Sequence, residues 1–218
     1  MERHVLVVLP HPDDEAFGSA GTIAQFTQKG VPVTYACATL GEMGRNMGKP
    51  FFANRETLPA IRKKELEEAC KILGIKDLRR LGFRDKTLEF EDVEVVADSI
   101  FEIIQELNPS LIITHYPGHG VHPDHDACGL ATITAVGRLP ENERPTLYCH
   151  AITKNRLTAL GNPDVVNDVI DVVDIKIAAI KAHRSQTEGM ISSWENGTPQ
   201  EPDIMKWVSQ EMFWHYKW

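Results

Sequence analysis

Long apolar runs are missing from this sequence. No stretch approaches the roughly 18 uninterrupted apolar residues of a membrane-spanning helix, so no span is expected. Basic clusters are missing too: no positive run is longer than Arg62-Lys63-Lys64, and 23 Lys and Arg against 31 Asp and Glu leave a net charge of −8. That balance suits neither a phosphate backbone nor an anionic lipid surface, so no nucleic-acid or membrane partner is expected. The four cysteines (Cys37, Cys70, Cys128, Cys149) form no Cys-x-x-Cys pair, and three lie in apolar segments. They read as buried thiols in a reducing compartment rather than a disulfide framework or a thiolate metal cage. The first apolar run, Val5 to Leu9, is too short for a signal-peptide core, so a soluble cytoplasmic protein is expected. No Gly-x-Gly-x-x-Gly follows a strand-like run; Gly18 and Gly21 come after a helix has begun, which weakens a nucleotide- or sugar-binding module as the reading. There is no internal repeat, low-complexity tract or linker, so residues 1–218 are read as a single domain.

What is present is an alternation of two hydrophobic periods. Val5–Leu9 and Leu111–Thr114 are short, continuous, β-branched-rich runs, as strands buried on both faces should be. The stretch 31–40 is predicted as a second strand and 78–81 as a short one. Helices are predicted over 15–29 with Gly30 as the stop, 58–73 ending at Gly74, 93–107, and 123–136 with Pro123 in the first turn. The glycine-rich stretch 41–52 is predicted as a long loop. Strand–helix alternation of this kind predicts an α/β, Rossmann-like fold: a mainly parallel sheet with helices on both faces. Further on, 146–152 and 165–170 are predicted strands and 172–184 a helix. The aromatic-rich tail from about 192 is expected to be irregular.

Parallel sheets of this class present their chemistry at the carboxyl ends of the strands. The first strand is followed by His11-Pro12-Asp13-Asp14-Glu15, and the loop after Leu111–Thr114 contains His122-Pro123-Asp124-His125. Each segment sits between a strand and a helix start, and each offers an imidazole with a second ligand three residues on, one face of a helical turn. A catalytic zinc takes three such protein ligands and keeps one position open. His11, Asp14 and His125 are the neatest selection. Asp13 is then left as proton acceptor, and His122, oriented by Asp124, faces a developing oxyanion or protonates the leaving group. Each motif alone is a weak metal signal, because an Asp at a strand-to-helix turn is often only an N-cap; it is their pairing that carries the assignment. The donor set accepts Zn²⁺, and Fe²⁺ or Co²⁺ as well. His115 and His119 are expected to line the loop, and His4, His150, His183 and His215 to be structural.

These segments resemble the LmbE-like (PIG-L) family of zinc-dependent N-acetylglucosamine deacetylases. The resemblance runs over roughly residues 4 to 187 and includes Thr39-Leu40-Gly41-Glu42, Arg62-Lys63-Lys64-Glu65, Leu73-Gly74-Ile75, Arg84-Asp85 and His183-Arg184-Ser185-Gln186. The pattern is most similar to the deacetylases of bacillithiol biosynthesis, which release acetate from N-acetylglucosaminyl-malate. The family implies His11, Asp14 and His125 as zinc ligands, Asp13 as general base, His122 with Asp124 for the transition state, and Glu42, Arg62 and Asp85 as contacts to the sugar or its aglycone. It further implies a small-molecule sugar conjugate as partner and a homo-oligomer, trimer or hexamer. An alternative enzyme reading is an amidase acting on bacillithiol S-conjugates. The residues before the second motif, His119-Gly120-Val121, carry no guanidinium, so the cation for the malate carboxylates is expected to be Arg62, with Arg45 and Arg55 as alternatives.

Overall fold

The computed structural model describes residues 2–195 and 204–218. Its centre is a five-stranded sheet in the order β3-β2-β1-β4-β5, with β1 (Val5–Leu9), β2 (Val33–Cys37), β3 (Asp77–Arg80), β4 (Leu111–His115) and β5 (Thr146–His150). All four pairings are parallel. Every residue of β1, β2 and β4 is buried, because helices cover both faces and leave no polar side of the sheet. Val5, Val7 and Leu9 point toward α2 (Ala20–Gln28), α3 (Leu58–Leu73) and α7 (Val173–Ala182). Leu6 and Val8 point the other way, toward α4 (Val93–Leu107) and α5 (Pro123–Gly137).

The chain builds outward from β1 through β2 to β3, then crosses back to place β4 on the opposite side of β1. The strand order therefore reverses between β1 and β4, and a crevice opens beyond their carboxyl ends. The two histidine-bearing segments leave those two strands. The close seat of α5 fixes the second one: a Cβ on Gly129 would lie 2.3 Å from the carbonyl oxygen of His115, so only glycine lets the helix lie this near β4.

Three expectations need correction. The helix predicted over 15–29 is two: α1 (Asp14–Gly18) stops at Ser19, whose φ of −139° breaks the helical path before α2 begins. The strand predicted over 165–170 ends earlier, as β6 (Val165–Asp168), and stands outside the main sheet, paired antiparallel with β7 (Gln210–Phe213). The described part of the tail is not irregular. α8 (Arg184–Glu195) enters it, α9 (Ile204–Ser209) leads into β7, and Trp214 bridges to Cys149 of β5. A buried ion pair, Lys176 Nζ to Glu211 Oε1 at 2.7 Å, ties β7 to α7; neither partner shows itself in a hydrophobic pattern. Between β5 and β6 runs the short α6 (Arg156–Leu160). Among the described residues no helix is long and apolar enough to cross a membrane.

Candidate active site

The turn after β1 is held from several directions. The Tyr35 hydroxyl, from β2, donates to the His11 carbonyl (3.0 Å), and the His11 amide donates to Asp14 Oδ2 (2.8 Å). Asp13 sits at a φ of 104°, a left-handed conformation that non-glycine residues adopt at a cost, and its amide donates to Glu15 Oε2 (3.1 Å). Its carboxylate Oδ2 accepts from Arg62 Nη2 at 2.9 Å. Arg62 also donates to the carbonyls of Pro12 and of Gly41, the latter at 2.8 Å. Gly41 has a φ of 59°, and a Cβ there would overlap the guanidinium.

Donor atoms of three residues converge on one point. His11 Nδ1 lies 3.2 Å from His125 Nε2 and 3.3 Å from Asp14 Oδ2, and His125 Nε2 lies 3.2 Å from Asp14 Oδ1. Zinc bonds of about 2.0–2.1 Å at tetrahedral angles place neighbouring donors about 3.3 Å apart, so these residues fit a divalent cation. The opposite ring nitrogens are anchored as well. His125 Nδ1 meets the Gly120 carbonyl at 2.7 Å, while His11 Nε2 faces Asp85 Oδ1 (3.2 Å) and Asp124 Oδ2 (3.3 Å). Such partners fix the tautomer and direct the other nitrogen's lone pair at the ion. A second set, His11, His122 and Asp124, also lies within reach of one ion, but His122 Nδ1 already accepts from the Asp124 amide at 3.1 Å.

The electrostatics match. Burial opposes charge on His11, yet hydrogen bonds to Asp124, Asp14 and Asp85 outweigh it and hold the imidazole well above its ordinary value. His125 is raised against burial by Asp14. Asp14 is held well below the usual carboxylate range; burial opposes this, and His125, with hydrogen bonds from His11 and His125 and the nearby ring of His115, overcomes it. The cluster draws protons onto two imidazoles for the same reason it suits a cation. Burial pushes Asp13 up to about 6, against Arg62 and with help from Asp14. His122 is lowered by burial and by the nearby His11 and His125, which keeps it neutral at pH 7.

Above this floor opens a cavity of about 380 Å³, lined by His11, Asp13, Asp14, Arg62, Asp85, His122 and His125, with Met43, Gly44, Arg45, Lys86 and Gln186 at its rim. Of the nine residues predicted for the site, seven line this cavity, while Glu42 and Asp124 do not. The carboxylate of Asp124 does not hold His122. It faces His11 and the Lys86 amide (2.7 Å), and only its backbone N–H reaches His122, because the first turn of α5 folds that amide back onto the N-cap side chain. Glu42 turns away from the opening and accepts from the amides of Leu40 and Asp85, both at 3.2 Å. Asp85 accepts from the Met43 amide (2.7 Å) besides meeting His11. Arg62 is 3% exposed; its Nη1 and Nη2 donate to Asp13 and two carbonyls, while its buried Nε meets no partner. Arg55 donates to the Gly44 carbonyl at 2.9 Å.

Several contributors escaped the sequence reading. His183, expected as a plain structural residue, bonds Glu15 with Nε2 2.5 Å from Oε1, both fully buried. His115 stacks flat on His125, ring centres 4.0 Å apart and 5° from parallel. Tyr35 and Lys86 carried no motif at all; only the register of β2 against β1 and the path of the 81–87 loop bring them in.

Residues 6–136 match the family described as GlcNAc-PI de-N-acetylase, PIG-L. The chain belongs to this family. Among its PIG-L relatives, the probable N-acetyl-alpha-D-glucosaminyl L-malate deacetylase 2 of Bacillus cereus is 62% identical, with 100% of both chains covered. The protein of the same description from Bacillus subtilis is 60% identical over 100% of this chain and 99% of its own. Among solved structures, the N,N'-diacetylchitobiose deacetylase of Pyrococcus horikoshii, complexed with its inhibitor MPG, superposes with a TM-score of 0.74 at 26% identity, covering 99% of this chain and 84% of that one. The PIG-L match covers β1 through α5, the part of the fold that supplies both histidine motifs.

Proposed function

We propose that this protein is a metal-dependent N-deacetylase that hydrolyses the acetamide of N-acetylglucosaminyl-malate. The observation that carries the reaction class is the set of three donor residues, His11, Asp14 and His125, with donor atoms 3.2–3.3 Å apart in an open cavity beside a strained, half-buried Asp13. The substrate rests on the full-length likeness to the two Bacillus relatives. Zn²⁺ suits this His₂Asp set, as do Fe²⁺ and Co²⁺. When bound, the cation supplies the Lewis acidity that makes water nucleophilic near neutral pH.

The chain's own residues do the rest. Asp13 accepts the proton of the attacking water; its raised affinity for protons, set by burial, suits a base working near neutrality. Arg62 holds the Asp13 carboxylate in one orientation, which makes it a positioning residue. His122, with Nδ1 occupied by the Asp124 amide, carries its proton on Nε2 and presents a neutral N–H to the cavity, where it donates to the developing oxyanion. Asp85 and Asp124 keep His11 turned toward the ion. The four free, buried cysteines support a reducing, cytoplasmic setting.

The deciding experiment is elemental analysis of the purified protein coupled to acetate release from N-acetylglucosaminyl-malate and, in parallel, amide cleavage of a bacillithiol S-conjugate. Metal content near one per chain with malate-conjugate turnover that chelation abolishes is the expected result. Turnover of the S-conjugate alone overturns the substrate.

A further inference from the structure

Cations with nothing to bind stand at the mouth of an otherwise acidic protein. Of the positive side chains lining the cavity, Arg62 is buried, with both Nη groups held by Asp13 and two carbonyls and only Nε unpartnered. Lys86 and Arg45 are different. Among the described residues neither ammonium nor guanidinium meets a hydrogen-bond or ion-pair partner, although both line the opening and the chain carries a net charge of −8. Lys86 follows directly on Asp85, whose Oδ1 touches His11, and its amide is pinned to Asp124 Oδ2 at 2.7 Å. The base of the side chain is therefore fixed beside the reacting centre while its ammonium is left unengaged.

The backbone adds a second, independent observation. Lys86 has a φ of 62°, the left-handed region in which glycine is at ease and a side-chain-bearing residue is strained. Asn and Asp are the usual non-glycine occupants of such a position; a lysine gains nothing local from it. Strain kept at a site where glycine would fit points to a use for the side chain. We infer that Lys86, with Arg45 of the same cavity, forms an anion subsite that binds the carboxylates of the substrate's aglycone and so selects a dicarboxylate over a neutral group. This rests on the deacetylase reading and deepens it. Two carboxylates approaching a chain of net negative charge meet repulsion everywhere except where local cations reverse the field. A compact ammonium and a planar guanidinium lining one cavity can each take one carboxylate. The expectation from sequence placed this task on Arg62, with Arg45 and Arg55 as alternatives; this subsite keeps Arg45 and adds Lys86.

The test compares two substrates, N-acetylglucosaminyl-malate and the neutral methyl N-acetylglucosaminide, on the metal-loaded enzyme. Lys86→Met keeps the aliphatic stem and removes the charge. It is expected to lower kcat/KM for the malate conjugate by about tenfold to a hundredfold, the usual loss for one charge-assisted contact, and to leave the neutral glycoside unchanged. Arg45→Met should act in the same direction, and calorimetric binding of the deacetylated malate product should weaken in parallel. Lys86→Gly separates strain from function: its thermal midpoint should match or exceed that of the wild type while selectivity is lost. Equal losses on both substrates, or an unaltered preference, overturn the subsite while leaving the deacetylase reading intact. Wild-type enzyme that turns over neither substrate overturns both.

Discussion

His183 and Glu15 meet across 168 residues of chain, His Nε2 to Glu Oε1 at 2.5 Å, with both side chains sealed from solvent. Glu15 also accepts from the Asp13 amide, so the start of α8 reaches Asp13 through a single carboxylate. Ser185 reinforces the same junction, its amide and hydroxyl each donating to Glu65 at 2.7 Å. The late His-Arg-Ser-Gln motif thus braces the turn that carries Asp13 and Asp14 rather than meeting substrate with its imidazole.

His183→Ala should therefore cost stability as well as activity. Removing one partner of a buried ion pair typically costs about 3–5 kcal/mol. For a chain of this size each kcal/mol moves the thermal midpoint by about 2–4 °C. The pH dependence follows in sign. Burial opposes charge on His183, but Glu15 prevails and its pKa is raised. The pair's contribution is whole below the unfolded value of about 6.5 and fades as pH rises through the folded one. Thermal midpoints measured from pH 6 to 9 should fall more steeply for the wild type than for His183→Gln; parallel slopes contradict the pair.

Asp13→Asn should keep its metal and lose turnover by about a hundredfold or more, the range for a missing general base. His11→Ala and His125→Ala should lose the metal itself, since each removes a donor from a set spaced for one ion. Metal content by elemental analysis, read beside acetate release, separates the two classes. An Asp13→Asn enzyme that turns over at the wild-type rate removes Asp13 from the mechanism.

Chelation should destabilise as well as inactivate. A ligand held only by the folded chain at a thousandfold excess over its Kd contributes about 4 kcal/mol. The thermal midpoint should drop on chelator treatment, return with Zn²⁺ or Co²⁺, and stay insensitive in His11→Ala.

Tyr35→Phe tests the brace behind the first ligand. Its hydroxyl donates to the His11 carbonyl at 3.0 Å inside the core. Losing one such bond costs about 1 kcal/mol. The larger consequence is expected in metal affinity, which falls about tenfold when the groups that orient a ligand are removed. A competition titration with a chromophoric chelator measures it.

The sequence by itself determined the alternation of strand and helix, the buried character of β1 and β4, and the two turns that carry the His and Asp motifs. Hydrophobic period, helix stops such as Gly74 and the residues after each strand are local properties, written in consecutive positions. Residues 93–107, predicted as a helix, fold as α4 over those same residues, capped by the Asp92 side chain accepting from the Glu94 amide. What the sequence could not supply were the partners of each polar group. No pattern in the sequence showed that Arg62 would bond Asp13, or that the Asp124 carboxylate would face His11 rather than His122. Glu15 with His183, Lys176 with Glu211 and the strained Lys86 depend on chain segments brought together by strand order and helix packing. A hydrogen bond or ion pair is a relation of distance and angle between side chains far apart in sequence, and only the tertiary structure decides it.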